Sequence, residues 1–233
     1  MRAVSLHSDV VVVTSALLQV NCVIVRGGEE TFVIDSPVLP DELDALAALI
    51  EQARFPAPSG LLATHGDWDH LLGRLAFPGL ALGCAESTAE RLRAAPGEAQ
   101  RELRKLDKEL LIERPRPLAL GSVQALPVPG RCEIGDRELE LHPAGGHTAD
   151  GMAIVIGWAG VVVAGDYLST VEPPRLEGGG DLDDYVDTLE RLRGLVAEAD
   201  HVVPGHGPVL DRERAAAALE DDLASLLGRR ERG

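Results

Sequence analysis

The stretch Thr64-His65-Gly66-Asp67-Trp68-Asp69-His70 (residues 64–70) decides the fold of this chain. Within six positions, from His65 to His70, it places four side chains that can bind a metal ion. It follows the apolar run 60–64, which we predict to be a short buried strand, and leads into 69–76, which we predict to be helical. Loops between rigid elements are where proteins present reactive side chains. The stretch therefore predicts a functional loop at a strand end.

Three other segments have the same organisation. Asp166 in Ala164-Gly165-Asp166 and His206 in Pro204-Gly205-His206-Gly207 follow apolar runs, and His147 lies in the turn Gly145-Gly146-His147-Thr148. Taken alone, each has an ordinary explanation: helix capping for Asp69-His70, a turn for Asp166, and a solvated loop for His206. Turn chemistry alone does not place His or Asp at four separate strand ends. We therefore predict one metal site, formed by His65, Asp67, Asp69, His70, His147, Asp166 and His206.

The series HxDxDH, GGHT, AGD and PGHG, which spans residues 65–206, resembles the ordered motifs of the metallo-β-lactamase-fold hydrolases. The resemblance implies two divalent metal ions, with zinc as the first expectation. It implies that the first ion is held by His65, Asp67 and His147. It also implies that the second ion is held by Asp69, His70 and His206, and that Asp166 bridges the two.

One position departs from the usual HxHxDH motif, because Asp67 replaces the middle histidine. A carboxylate turns the first ligand set into two imidazoles and one carboxylate, which suits Fe or Mn as well as Zn. Flavodiiron proteins of the same fold carry an acidic residue, Glu, at this position. The alternative is that Asp67 does not bind a metal and that only one ion is held.

The expected chemistry is hydrolysis. Two metal ions about 3.5–4 Å apart can share a water, lower its pKa and present a hydroxide to a carbonyl or phosphoryl group. We expect Asp69 and Asp166 to orient this nucleophile and accept its proton. Tyr167 is the candidate donor to a developing oxyanion, and its alternative role is a packed side chain at a strand end.

The resemblance does not select a substrate, because this fold supports many reactions. We expect a small ester, thioester or lactone. Two alternatives stay open. The first is a mononuclear iron oxygenase that resembles the persulfide dioxygenases, with His65, Asp67 and His147 as its iron ligands. The second is a non-catalytic metal-binding module, which the open His/Asp-rich ligand set disfavours because structural sites are usually closed by four ligands.

The order of predicted elements indicates the fold. Strands and helices occur in two similar successive halves, which predicts a mixed α/β (α+β) protein: a four-layer αββα sandwich of two mixed sheets with outer helices. We expect residues 1–233 to form a single domain. Residues 86–130, with a charged helical part and four spaced prolines after it, are predicted to be an insertion that covers the cleft or forms a subunit contact.

The composition limits the kinds of molecule that the protein is expected to bind. The net charge of −16, with no basic cluster, argues against nucleic acid as a ligand, so we expect a small-molecule substrate. No apolar run reaches the roughly 18 residues of a membrane helix, and the first residues lack the pattern of a secretory signal. We therefore expect a cytoplasmic location and no association with a membrane. A homodimer is compatible with the sequence.

Overall fold

The structure is a computed structural model that describes residues 1–230. Its first sheet has seven strands that follow one another in sequence order. These are β1 (Arg2–His7), β2 (Val10–Thr14), β3 (Asn21–Gly27), β4 (Glu30–Ile34), β5 (Gly60–Leu62), β6 (Leu82–Ala85) and β7 (Val123–Leu126). The first four pair antiparallel, and β4 to β7 pair parallel, with helices in the connections.

The second sheet has six strands, and it too keeps the sequence order of its strands. These are β8 (Gly130–Ile134), β9 (Arg137–Pro143), β10 (Met152–Ile156), β11 (Val161–Gly165), β12 (His201–Pro204) and β13 (Leu210–Asp211). All its neighbours pair antiparallel except β11 and β12, which are parallel because a helix connects them.

Among the described residues, six α-helices accompany the sheets: α1 (Pro40–Gln52), α2 (Gly73–Ala76), α3 (Glu86–Ala94), α4 (Glu98–Leu110), α5 (Leu182–Glu198) and α6 (Arg212–Arg230). Residues of α1 to α4 bury apolar side chains against the first sheet, and those of α5 and α6 do so against the second. The predicted mixed sandwich is thereby confirmed. Within residues 1–230, no helix is both long and apolar enough to cross a membrane.

Alternation along the strands explains the layered arrangement. In β3, Cys22 and Ile24 belong to the core shared with helices, whereas Val23 and Val25 belong to the core between the two sheets. Successive side chains of a strand point to opposite faces, so an apolar run buries both faces at once. The central strands of each sheet can therefore lie only in the interior of a sandwich.

The stretch 86–130 differs from the predicted insertion. Strand β7 extends the first sheet, and Ala89 of α3 and Leu103 of α4 are fully buried in the core beneath it. Strand β7 escaped prediction because it is a short edge strand whose four side chains are all partly or fully exposed. The stretch is thus part of the fold, and its role in a subunit contact remains a prediction.

Helix α5 fixes the turn that contains His147. Its N-cap Asp181 accepts hydrogen bonds from the backbone N–H of Asp183 and Asp184. Gly146 has a φ of 120°, and a Cβ atom at this position would overlap the backbone of Tyr185 in α5. Only glycine allows the turn to approach the helix this closely.

Replacing Gly146 by Ala should therefore separate the turn from α5. We expect a loss of about 2–4 kcal/mol in the free energy of unfolding, measured in urea, from backbone strain and steric overlap. Gly194→Ala is the matched control, because a Cβ there meets no atom within 4 Å and Gly194 lies inside α5. That substitution should stabilise the protein by about 0.5–1 kcal/mol. Equal stability of the two variants would contradict the proposed close approach.

Candidate metal centre

The seven predicted ligands meet at one edge of the sandwich, at the ends of strands from both sheets. From the first sheet, four of them follow β5, the last two within a single 3-10 turn: His65, Asp67, Asp69 and His70. From the second sheet, three follow β9, β11 and β12 respectively: His147, Asp166 and His206. The strand ends thus bring ligands from distant parts of the chain together at one place.

One group consists of His65, Asp67 and His147. Asp67 Oδ2 lies 3.5 Å from the Nε2 atoms of both histidines. One ligand atom from each of the three residues falls within 4.8 Å of the others. This group matches the first predicted ligand set.

A second group consists of Asp69, His70 and His206. Asp69 Oδ2 lies 3.5 Å from His206 Nε2, and Asp69 Oδ1 lies 4.0 Å from His70 Nε2. All three side chains are buried. This group matches the second predicted set, and it has the same composition as the first.

Asp166 lies between the two groups. Its Oδ2 is 3.3 Å from Nε2 of His147 in the first group and 3.4 Å from Nε2 of His206 in the second. Its Oδ1 is 3.1 Å from His70 Nε2. One carboxylate thus faces ligand atoms of both groups, as expected of a bridging ligand.

The donor atoms fit metal ions. Nε2 of His65, His70 and His147 and Oδ1 of Asp166 are buried without a hydrogen-bond partner among the described residues. Buried polar atoms are almost always paired, so unpaired atoms that converge on one point indicate a missing partner. Tetrahedral ligands about 2.0–2.1 Å from an ion lie about 3.3 Å apart. The carboxylate-to-imidazole distances are 3.5 Å in the first group, and 3.5 and 4.0 Å in the second.

Hydrogen bonds to backbone oxygens orient two of the imidazoles. His147 Nδ1 lies 3.0 Å from the carbonyl oxygen of Arg175, and His206 Nδ1 lies 2.8 Å from that of Leu18. A carbonyl accepts only from a protonated Nδ1, so it leaves the Nε2 lone pair free for a metal. The loop of His206 is itself held by Asn21, whose side-chain amide donates to two of its carbonyls.

Asp35 orients the imidazole of His70 in the same way, and it is not among the residues predicted from the sequence. It follows β4 in a left-handed conformation with φ of 56°, and it is buried. Its carboxylate accepts from the Thr64 backbone N–H and hydroxyl, both at 2.8 Å, and from His70 Nδ1 at 3.0 Å. An Asp directly after an apolar strand was the available signal, because the predicted ligands obey the same rule.

Arg91 of α3 was also missed. Its guanidinium donates to Asp67 Oδ1 at 2.6 Å and to Asp150 Oδ1 at 2.8 Å. Asp150 in turn accepts from the Gly66 backbone N–H at 2.9 Å. Arg91 therefore occupies one oxygen of Asp67 and leaves Oδ2 to face His65 and His147. No sequence signal distinguishes Arg91 from the other charged residues of its helix.

The electrostatics of the centre favour cations. Burial alone would lower the pKa of His147, but the carboxylates of Asp166 and Asp67 outweigh burial and raise this pKa to about 10. For His206, Asp166 likewise outweighs burial and raises the pKa to about 9. Burial opposes ionisation of Asp166, yet His70 and His65 hold its pKa well below the usual value. Positive charge is therefore stabilised throughout the centre.

Tyr167 does not point toward the cleft, which corrects its predicted catalytic role. The side chain is 2% exposed and packs on the ring of Tyr185. Its hydroxyl donates to the carbonyl oxygen of Gly145 at 2.7 Å and accepts from the His147 backbone N–H at 3.0 Å. Because its proton is already committed, Tyr167 positions the turn of His147 and is not a donor to an oxyanion.

A cleft of about 390 Å³ opens over the ligands. Asp67, Asp69, His147, Asp166 and His206 lie on its surface. Helices α3 and α4, which belong to the stretch 86–130, line it through Arg91, Glu98, Ala99 and Glu102. This part of the stretch therefore forms one wall of the cleft.

Comparison with known proteins gives the family and the fold. The family model described as the metallo-beta-lactamase superfamily matches residues 16–206. No curated protein matches the sequence.

Solved structures resemble the chain at low sequence identity, so their likeness shows the fold alone. A metallo-beta-lactamase from Pontibacter korlensis is 21% identical, with a TM-score of 0.65 over 94% of this chain and 99% of that one. The metallo-beta-lactamase family protein TTHA1429 from Thermus thermophilus is 19% identical, with a TM-score of 0.70 over 94% and 81%. TTHA1623, solved in a di-iron-bound form, is 24% identical, with a TM-score of 0.66 over 89% and 97%.

Asp67→Ala should remove one metal ion and spare the other, because the group of Asp69, His70 and His206 does not include Asp67. The measurement is metal content per chain after purification. His206→Ala should deplete the other ion, and Asp44→Ala, an exposed position on α1, should change nothing. Retention of both ions by Asp67→Ala would refute its role as a ligand.

Arg91→Gln should weaken binding at the first group only, because Asp67 then loses the contact that fixes its orientation. Loss of such a supporting contact typically costs about 10–100-fold in metal affinity. Zinc titration against a chromophoric chelator gives the two affinities separately. Arg93→Gln, exposed on the same helix, is the control. Unchanged affinity in Arg91→Gln would show that the ion pair only stabilises the fold.

Proposed function

Because the chain belongs to the metallo-beta-lactamase superfamily, and because two like ligand groups share Asp166, we propose that it is a dinuclear metallohydrolase. Its proposed substrate is a small ester, thioester or lactone. The position of Asp166 between the groups is the observation that carries the proposal. A cleft of about 390 Å³ supports a small substrate.

The proposed metals are two divalent ions, zinc first, with iron or manganese as the alternatives. Each group offers two imidazoles and one carboxylate, a donor set that suits all three metals. The di-iron-bound form of TTHA1623 supports iron as a candidate. Because the two groups are alike in composition, no donor difference favours filling one of them alone.

When bound, two such ions lower the pKa of a water and polarise the substrate oxygen. The chain itself supplies the proton acceptor. Burial raises the pKa of Asp69, and Asp166 adds to this effect although His70 opposes it. Asp166 lies between the two ligand groups, where it would orient the reacting groups. Asp69 lies on the cleft surface, where it would accept a proton and pass it to the leaving group.

One observation favours a second candidate, a mononuclear iron oxygenase. His65, Asp67 and His147 form a two-histidine, one-carboxylate group, which is a common iron site in oxygenases. The second ligand group argues against a mononuclear oxygenase, because a single ion in the first group would leave Asp69, His70 and His206 without a metal to bind. A purely structural metal site is disfavoured since the ligands line an open cleft.

Hydrolysis should proceed without oxygen. We expect turnover of at least one member of an ester, thioester and lactone panel under anaerobic conditions. His206→Ala should lower kcat by about 100-fold or more, because removal of a ligand disables the dinuclear site. His7→Ala, which replaces a histidine on β1, should retain both turnover and metal. Persulfide-dependent oxygen uptake by protein with one iron, without hydrolysis anywhere on the panel, would overturn the proposal.

A further inference from the structure

The cleft over the candidate metal centre carries an excess of acidic side chains beyond the ligands. Four glutamates line it: Glu98, Glu102, Glu172 and Glu177. Apart from the histidine ligands, the basic residues among its lining are Arg91 and Arg175. The charge that a substrate meets therefore depends on which of these groups are already paired.

Both cations are engaged by carboxylates of the chain. Arg91 contacts Asp67 at 2.6 Å and Asp150 at 2.8 Å, so its charge is balanced within the wall of the cleft. Arg175 Nη1 lies 3.7 Å from Glu172 Oε2. Each guanidinium therefore lies beside a carboxylate of the chain that offsets its charge.

Two of the glutamates lack such a partner. Glu102 pairs with Lys105 at 2.7 Å, and Glu172 faces Arg175. Within the described part of the chain, Glu98 and Glu177 form no ion pair. Glu98 lies in the first turn of α4, at the edge of the cleft.

Glu177 is held close to the metal ligands. Its backbone N–H donates to the carbonyl oxygen of His147 at 2.7 Å, so its loop is tied to the first ligand group. Trp68, between the ligands Asp67 and Asp69, also lines the cleft and offers an aromatic surface. An aromatic ring together with carboxylates is a typical environment for an ammonium group.

The same cleft ends on atoms that lack a partner. His147 Nε2 and Asp166 Oδ1 are buried without a hydrogen bond, and both residues lie on the cleft surface. Under the proposed function, the metals and the reacting acyl group would bind at this end of the cleft. The acidic wall lies beside it, where the rest of the substrate would be.

We infer that the site selects substrates with a cationic amine or quaternary ammonium group beside the scissile acyl bond, and that it discriminates against substrates with a carboxylate there. This inference rests on the proposed hydrolase function. Glu98 and Glu177 supply the selectivity. Because their carboxylates are exposed, the selectivity is greatest at low ionic strength.

Binding of matched thiols to the cobalt-loaded protein tests the inference without turnover. Thiocholine, 2-mercaptoethanol and 3-mercaptopropionate share a two-carbon thiol and differ in charge. Thiolates bind metals directly, so the thiolate-to-cobalt absorption band reports each dissociation constant. At about 0.01 M salt we expect thiocholine to bind about tenfold more tightly than 3-mercaptopropionate, and at about 1 M salt the ratio should fall toward one.

Variants assign this preference to the two glutamates. Glu98→Gln/Glu177→Gln should bring the two dissociation constants to within about twofold of each other. The control Glu109→Gln/Glu213→Gln removes the same charge from exposed positions on α4 and α6, and it should keep the preference. Metal content, measured for each variant, shows that the centre is intact.

The outcomes separate the inference from the function on which it rests. Equal or tighter binding of 3-mercaptopropionate by the wild-type protein overturns the inference and leaves the hydrolase proposal standing. A preference for thiocholine that survives in Glu98→Gln/Glu177→Gln also overturns it, because other groups then supply the selectivity. Absence of any spectral change with all three thiols shows that the metals accept no external ligand, which contradicts the proposed function itself.

Discussion

Mutual repulsion among buried carboxylates is the constraint on which this structure depends. Asp67, Asp69 and Asp166 converge at one edge of the sandwich with little exposure. Like charges at such distances are strongly unfavourable when water is excluded, so they persist only with cations among them. In the protein itself, imidazoles and Arg91 supply this compensation. The surrounding loops serve to hold these charges in place.

The two sheets hold these charged side chains in place at the ends of their strands. Parallel pairing brings the end of β5 next to that of β4, and the end of β12 next to that of β11. Asp35 then reaches His70, while Asp166 reaches His206. Each contact joins elements that are distant in sequence but adjacent in a sheet. The pairing of the strands therefore determines where the ligands lie, and short loops are enough to hold them there.

The sequence predicts the metal ligands better than it predicts the residues that orient them. Four strand ends with His or Asp are visible because local pattern and chemistry coincide at each. Arg91 cannot be identified from the sequence, since an arginine in a charged helix gives the same pattern whether it faces solvent or Asp67. The inward turn of Tyr167 depends on how closely α5 approaches Gly146, which is a packing detail without a local signature. Edge strands β1 and β7 are missed because exposed strands do not alternate.

Each ligand group draws on both sheets. His65 and Asp67 from the first sheet meet His147 from the second, and Asp69 and His70 meet His206. The centre can therefore assemble only after the two halves of the chain have docked, which places its formation late in folding. A metal ion held by either group would cross-link the two halves and would make them unfold as one cooperative unit. In this molecule the candidate metal centre and the seam that joins the two halves are the same place.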